Sequence, residues 1–139
     1  MSWNVLIVDD HEVARVGVCW LLDRTPFHVA GSVPTAAEAL QCLEENPIDL
    51  VLLDLRLSDG SGLKLLEQIR KSYAEVSVIV FSAYENPTYI ARAAALGASD
   101  YLLKNVPCNN KEELNNIPKI NNDFLIDYFG FKTLERAYL

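Results

Sequence analysis

Basic residues are scarce in this chain: 12 lysines and arginines stand against 19 aspartates and glutamates, giving a formal net charge of −7 and an isoelectric point near 4.7. That balance works against broad attraction to nucleic acid or to an anionic membrane surface. No basic patch suited to DNA is found, so no direct nucleic-acid contact is expected. Long apolar runs are missing too, since none approaches the ~20 residues that a bilayer-spanning helix needs. The first residues, Met1-Ser2-Trp3-Asn4, lead straight into a short apolar strand, without the basic and apolar regions of a signal peptide. A cytoplasmic protein without membrane contact is the expectation. Cysteine is sparse: Cys19, Cys42 and Cys108 lie far apart and form no CxxC pair, which in the cytosol means free thiols. No glycine-rich phosphate loop follows the first apolar run, which argues against a small hydrolase or flavin-binding domain. Internal repeats are absent.

What remains is enough for one folded domain. The 139 residues can bury a single core, and a half-hydrophobic composition with 22 % charged residues is ordinary globular usage. Three near-continuous apolar runs at residues 4–8, 48–53 and 76–81 suit strands buried on both faces, and weaker strand candidates lie at 28–31 and 101–103. Amphipathic stretches of helical length separate them. Residues 12–22 place Ala14, Val18, Leu21 and Leu22 on one face. Thr35 with Glu38 three residues later reads as a capping box for a helix to residue 45 that buries Leu40 and Leu43. Ser61 caps a helix over 62–71 with Leu65, Leu66 and Ile69 inward, and Asn86-Pro87 opens a fourth that stops at Gly97. Strict alternation predicts βαβ units, hence an α/β, flavodoxin-like (βα)5 fold. Its five-stranded parallel sheet would have strand order 2-1-3-4-5 and helices on both faces.

In such a sheet the ligand site lies beyond the C-terminal strand ends. The residues found there are Asp9 and Asp10 after the first strand, Asp54 after the third, Ser82 after the fourth and Lys104 after the fifth. Three carboxylates held together repel one another unless a cation neutralises them. Carboxylate oxygens with a backbone carbonyl and waters make a hard-ion site, so Mg²⁺ is the expected cofactor, with Mn²⁺ as a substitute. A carboxylate can also attack phosphorus and form an aspartyl phosphate, and the metal, the Lys104 ammonium and the Ser82 hydroxyl would meet the incoming phosphoryl oxygens.

These residues carry a resemblance. VDD at 8–10, LLDLRL at 52–57, FSA at 81–83, GAS at 97–99 and YLLK at 101–104 resemble, in order and spacing, the response-regulator receiver domains of two-component signalling, over about residues 3–106. The resemblance implies that Asp54 is the phosphoacceptor, that Asp9 and Asp10 hold the metal with Asp54 and the main-chain carbonyl of Arg56, and that Lys104 pairs with the phosphoryl group. It further implies that Ser82 moves to hydrogen-bond the phosphoryl group and that Tyr101 is an aromatic switch. The donor would be a histidine kinase or phosphotransfer protein carrying phosphohistidine. The chain would act as a stoichiometric phosphoacceptor, slowly losing its own phosphate, and not as an enzyme that turns over. The wording DDHEVARVGV and VLLDLRLSDGSGL is similar to the LuxR-type subfamily. Asn105 stands where the family often has proline after the lysine, and Ser58 where a proline is usual, implying a more mobile loop after Asp54.

Residues 1–106 are expected to form the receiver core. Segment 107–139 would supply a last helix through 111–117, cut short by Pro118, and a divergent tail, with no separate DNA-binding domain. Residues 105–122 hold seven asparagines against three in the preceding 104, and the apolar residues 124–126 and 128–129 should pack on this domain or a neighbour, with homodimerisation left open. The alternative function is a non-switching receiver-like interaction module or a truncated transcriptional regulator. His11, beside the acidic pair, is read as the first exposed residue of a helix ahead of any ligand role, and Trp20 and Cys19 lie off the buried stripe of their helix.

Overall fold

The computed structural model describes residues 2–83 and 86–103; Lys104, the helix expected over 111–117 and the tail lie outside these. In chain order the elements are β1 (Trp3–Val8), α1 (Glu12–Leu22), β2 (Phe27–Val33), α2 (Ala36–Glu45), β3 (Leu50–Leu53), β4 (Arg56–Leu57), β5 (Gly60–Ser61), α3 (Gly62–Ser72), β6 (Ser77–Ser82), α4 (Pro87–Ala95) and β7 (Asp100–Leu103). Five of the strands make one parallel sheet in the order β2-β1-β3-β6-β7. Counting only these five, this is the expected 2-1-3-4-5 order. Among the described residues no helix is long and apolar enough to cross a membrane.

The apolar strands are continuous because both sheet faces are covered. Leu6, Val8, Val51, Leu53, Val78 and Val80 point to one face and pack with Ala39 and Leu43 of α2, with Leu65, Leu66 and Ile69 of α3, and with Ala93 of α4. The alternate residues Val5, Ile7, Leu50, Leu52 and Ile79 point the other way and pack with Val18 and Leu22 of α1. Burying such a side chain is worth roughly 1.5–3 kcal/mol, so two opposed faces hold the central strands rigidly.

Helix ends follow the capping chemistry read from the sequence. The Thr35 hydroxyl accepts from the Glu38 amide at 3.2 Å and donates to the Glu38 carboxylate at 2.9 Å, while Ser61 and Asn86 accept from the amides of Leu63 and Thr88. The helix α4 ends at Gly97, which has φ +98°. The Ala98 amide reaches back to the Ala93 carbonyl and the Gly97 amide to the Ala94 carbonyl, the paired bonds of a Schellman motif.

Some expectations are corrected. The second strand runs on through Gly31 to Val33, with a register shift opposite Val5 and Leu6. Gly31 is a point of close packing and not a stop, because a Cβ there would lie 2.6 Å from the Cys42 sulphur of α2. Leu21 is exposed, not buried, since the inward face of α1 is set by Val18 and Leu22. The third strand begins at Leu50, two residues late. Cys19 and Cys42 are free thiols as expected, Cys108 lying outside the described residues, and burial pushes the Cys42 thiol above its ordinary value, keeping it protonated.

Between β3 and α3 the chain forms a small antiparallel hairpin, in which Arg56 pairs with Ser61 and Leu57 with Gly60. At its turn the two carboxylate oxygens of Asp59 accept from the amides of Ala36 and Ala37, at 2.9 and 3.1 Å. This side chain therefore caps α2 from a distant loop and ties the segment after Asp54 to a second helix. These amide bonds hold the Asp59 carboxyl below its ordinary 3.8. A carboxyl with a depressed folded-state value stabilises the fold above its unfolded value and loses that contribution as pH falls through the folded one. Wild type should therefore melt above Asp59→Asn at neutral pH, and the gap should close as pH is lowered past 3.8. A gap that stays constant in acid would show that the charge is not its source.

Candidate functional site

The sheet order reverses at β1, which lies between β2 on one side and β3 on the other. Loops leaving the two central strands there turn apart and open a crevice at their C-terminal ends. Asp9 and Asp10 follow β1 directly, and Asp54 follows β3. The sheet ladder continues into both turns: the Asp54 amide donates to the Val8 carbonyl at 2.9 Å and the Asp9 amide to the Val33 carbonyl at 3.1 Å. The Arg15 guanidinium donates to the Asp9 carbonyl at 2.6 Å. These bonds fix the backbone from which the carboxylates project.

Carboxylate oxygens of Asp9, Asp10 and Asp54 and a ring nitrogen of His11 lie within 4.8 Å of one another. Asp9 is 4 % and Asp54 5 % exposed, whereas Asp10 and His11 face outward. Two nearly buried carboxylates with a third at the rim form a set of hard oxygen donors open on one side, which suits a divalent ion that keeps several waters. The residues present therefore fit Mg²⁺. Arg56, whose amide approaches Asp54 Oδ1 at the long limit of 3.5 Å, stands in the hairpin. It lines a cleft of about 370 Å³ with Asp10, Leu57, Gly60, Leu63 and Tyr89.

Ser82 ends β6 and is fully buried. It is hydrogen-bonded to the phenol of Tyr101 in β7, which is half-buried and packs against the α2/α3 side of the core. Burial pushes the Tyr101 phenol above its ordinary value, and the negative charge of Asp54 adds to this. The Ser82 hydrogen bond pulls the other way. Lys104 is outside the described residues, but it directly follows Leu103, whose register partner is Ser82.

His11 is exposed at the start of α1, as its reading from the sequence has it, and its Nδ1 lies against the carboxylates of Asp9 and Asp10. The missed anchors are Arg15 and Asp59. For Asp59 the Asp-Gly dipeptide at 59–60 was a signal, since such pairs favour hairpin turns.

Known proteins place this geometry. The response regulator receiver domain family matches residues 5–117. The chain is 30 % identical over 114 residues to the response regulator protein VraR of Staphylococcus saprophyticus, covering 81 % of this chain and 54 % of that protein. It is 31 % identical over 105 residues to VraR of Staphylococcus aureus, covering 75 % and 50 %. The chain thus spans about half the length of these curated relatives. Among solved structures, a CheY-like response regulator receiver domain protein from Methanospirillum hungatei superposes with a TM-score of 0.78 at 24 % identity, covering 99 % of this chain and 98 % of that one, a likeness of fold. The BeF3-activated DrrB receiver domain superposes with a TM-score of 0.69 at 26 % identity, covering 82 % and 92 %. With the fold, the strand-end carboxylates and these matches in agreement, the chain belongs to the response regulator receiver domain family.

Proposed function

We propose that this chain is a phosphoacceptor receiver of a cytoplasmic two-component phosphorelay, taking a phosphoryl group on Asp54 from the phosphohistidine of a histidine kinase or phosphotransfer protein. The observation that carries this reading is the convergence of the Asp9, Asp10 and Asp54 carboxylates at the strand-order reversal, with Asp54 at the floor of the pocket.

In the reaction an Asp54 carboxylate oxygen forms the new bond to phosphorus while the bond from phosphorus to the donor's imidazole nitrogen breaks. The imidazole keeps the electron pair and takes up a proton. Asp9, Asp10, Asp54 and the Arg56 carbonyl would hold Mg²⁺, which when bound neutralises the charge that otherwise repels an anionic phosphoryl group. The Lys104 ammonium would pair with the phosphoryl oxygens. Each transfer consumes one donor, so the protein is a stoichiometric acceptor and not an enzyme that turns over.

Signalling is a change of partner by one hydroxyl. Ser82 is bonded to the Tyr101 phenol, and a phosphoryl group on Asp54 would offer it stronger, charged acceptors. Release of the phenol lets Tyr101 repack, biasing the loops after β6 and β7 and the face made by α4, β7 and the following segment.

The whole chain incubated with acetyl phosphate and Mg²⁺ should gain one phosphate-sized mass increment, and excess EDTA should prevent it. No increment under either condition, which a non-switching interaction module would give, or equal labelling in EDTA, overturns the reading.

A further inference from the structure

Residues 55–61 carry the chain from Asp54 to α3, and Arg56 lies among them. The base of this segment is well held: the Gly62 amide donates to the Leu55 carbonyl at 2.8 Å, and Leu55 and Leu57 are buried in the core. The tip has less to hold it. Strands β4 and β5 have two residues each, Ser58, Asp59 and Gly60 are exposed, and a hairpin so short has little stability of its own in water. What secures the tip is the Asp59 carboxylate, which accepts from the Ala36 amide with Oδ1 at 2.9 Å and from the Ala37 amide with Oδ2 at 3.1 Å. These amides open α2, where the helix itself supplies no acceptor for them, and the Thr35 hydroxyl takes the amide of Glu38 instead. The loop that leads into α2 is in turn bonded to the pocket, because the Val33 carbonyl accepts from the Asp9 amide. Asp59 thus joins the loop that backs Asp9 to the hairpin that follows Asp54.

We propose that Asp59 is a positioning residue for the cation site: by clasping the start of α2 it holds the hairpin, and with it the Arg56 carbonyl, in the place a divalent ion requires. This rests on the reading of Asp9, Asp10, Asp54 and the Arg56 carbonyl as ligands of Mg²⁺. An ion that demands near-ideal octahedral geometry tolerates little misplacement of a ligand, so a hairpin free to swing binds it more weakly. Such coupling is reciprocal. If the clasp tightens the site, the filled site tightens the clasp, and the Ala36 and Ala37 amides report it because Asp59 is their acceptor.

Whole-chain variants compared where each is folded test this. By calorimetry Asp59→Ala should bind Mg²⁺ about tenfold more weakly than wild type, the lower end of the losses seen when a group supporting a metal ligand is removed. Asp59→Asn keeps the turn-forming preference at 59–60 but not the charge, and should also bind more weakly than wild type. Thr35→Ala removes the other cap of α2 and lowers the melting temperature, yet should leave Mg²⁺ affinity unchanged. In labelling by acetyl phosphate, the Mg²⁺ concentration that gives half the maximal rate should rise by the same factor in Asp59→Ala, with the rate at saturating Mg²⁺ preserved. Hydrogen exchange of the Ala36 and Ala37 amides in wild type should slow about tenfold when Mg²⁺ saturates the site, the reciprocal of that affinity loss. Wild-type Mg²⁺ affinity in either Asp59 variant, an equal loss in Thr35→Ala, or exchange that ignores Mg²⁺ makes Asp59 a cap and turn former only. Each of these overturns the proposal while Mg²⁺-dependent labelling of wild type persists. If wild type binds no Mg²⁺ and labelling ignores it, the cation site itself is refuted and this inference with it.

Discussion

Asp54→Asn is expected to take up no phosphate from acetyl phosphate and to lose most of its stabilisation by Mg²⁺. The amide keeps the shape of the side chain but is no longer a nucleophile, so labelling falls to background and not merely in rate. Its second consequence follows from mass action. A ligand that binds only the folded state stabilises by about 2.7 kcal/mol at a hundred times its Kd, and an ion held by three carboxylates binds far more weakly to two. Wild type should thus melt higher in Mg²⁺ than in EDTA, with little difference for the variant. In EDTA alone the variant should be at least as stable as wild type, because Asp9 and Asp54 are both nearly buried and removing one of two like charges relieves repulsion. Intact-mass measurement and paired thermal melts read both effects. Labelling of the variant to the wild-type extent would remove Asp54 from the mechanism.

Gly62→Ala should be among the most destabilising single-methyl additions. A Cβ at Gly62 would lie 2.6 Å from the Leu55 Cα and closer still to the Asp54 carbonyl oxygen, both backbone atoms, and the Gly62 amide is bonded to the Leu55 carbonyl at 2.8 Å. Neither side can yield without moving the turn that presents Asp54. Overpacking of this kind costs about 3 kcal/mol, and it should also slow labelling, since the displaced backbone belongs to the acceptor residue. Gly17→Ala is the control: it lies in α1 with nothing within 4 Å of its added methyl, and replacing a helical glycine stabilises by roughly 0.5–1 kcal/mol. Urea melts that place the two variants on the same side of wild type would show that the close approach at Gly62 is not real.

These effects also mark where sequence reading stops. Thr35, Ser61 and Asn86 were legible as caps because a cap binds an amide two or three residues away. The fold was legible through the spacing of the apolar runs and the βαβ rule that links them. Asp59 was not legible, because its partners Ala36 and Ala37 are 23 and 22 positions away and nothing in the local pattern of the hairpin names them. Leu21 fits the apolar period of α1 yet lies outside, since which residues of a wide stripe face inward depends on how the helix sits on the sheet.

The amino-acid sequence by itself determined the α/β alternation and the acidic residues at the strand ends, because these depend on periodicity and short-range chemistry, and its motifs carried the resemblance to the family. Only the tertiary structure decided that His11 Nδ1 lies against the aspartate carboxylates, that Ser82 and Tyr101 share a hydrogen bond and that Gly62 packs closely on the backbone of Asp54 and Leu55. Those relations join separately folded segments through distances of a few ångströms, and such distances exist only once the sheet and its helices have packed.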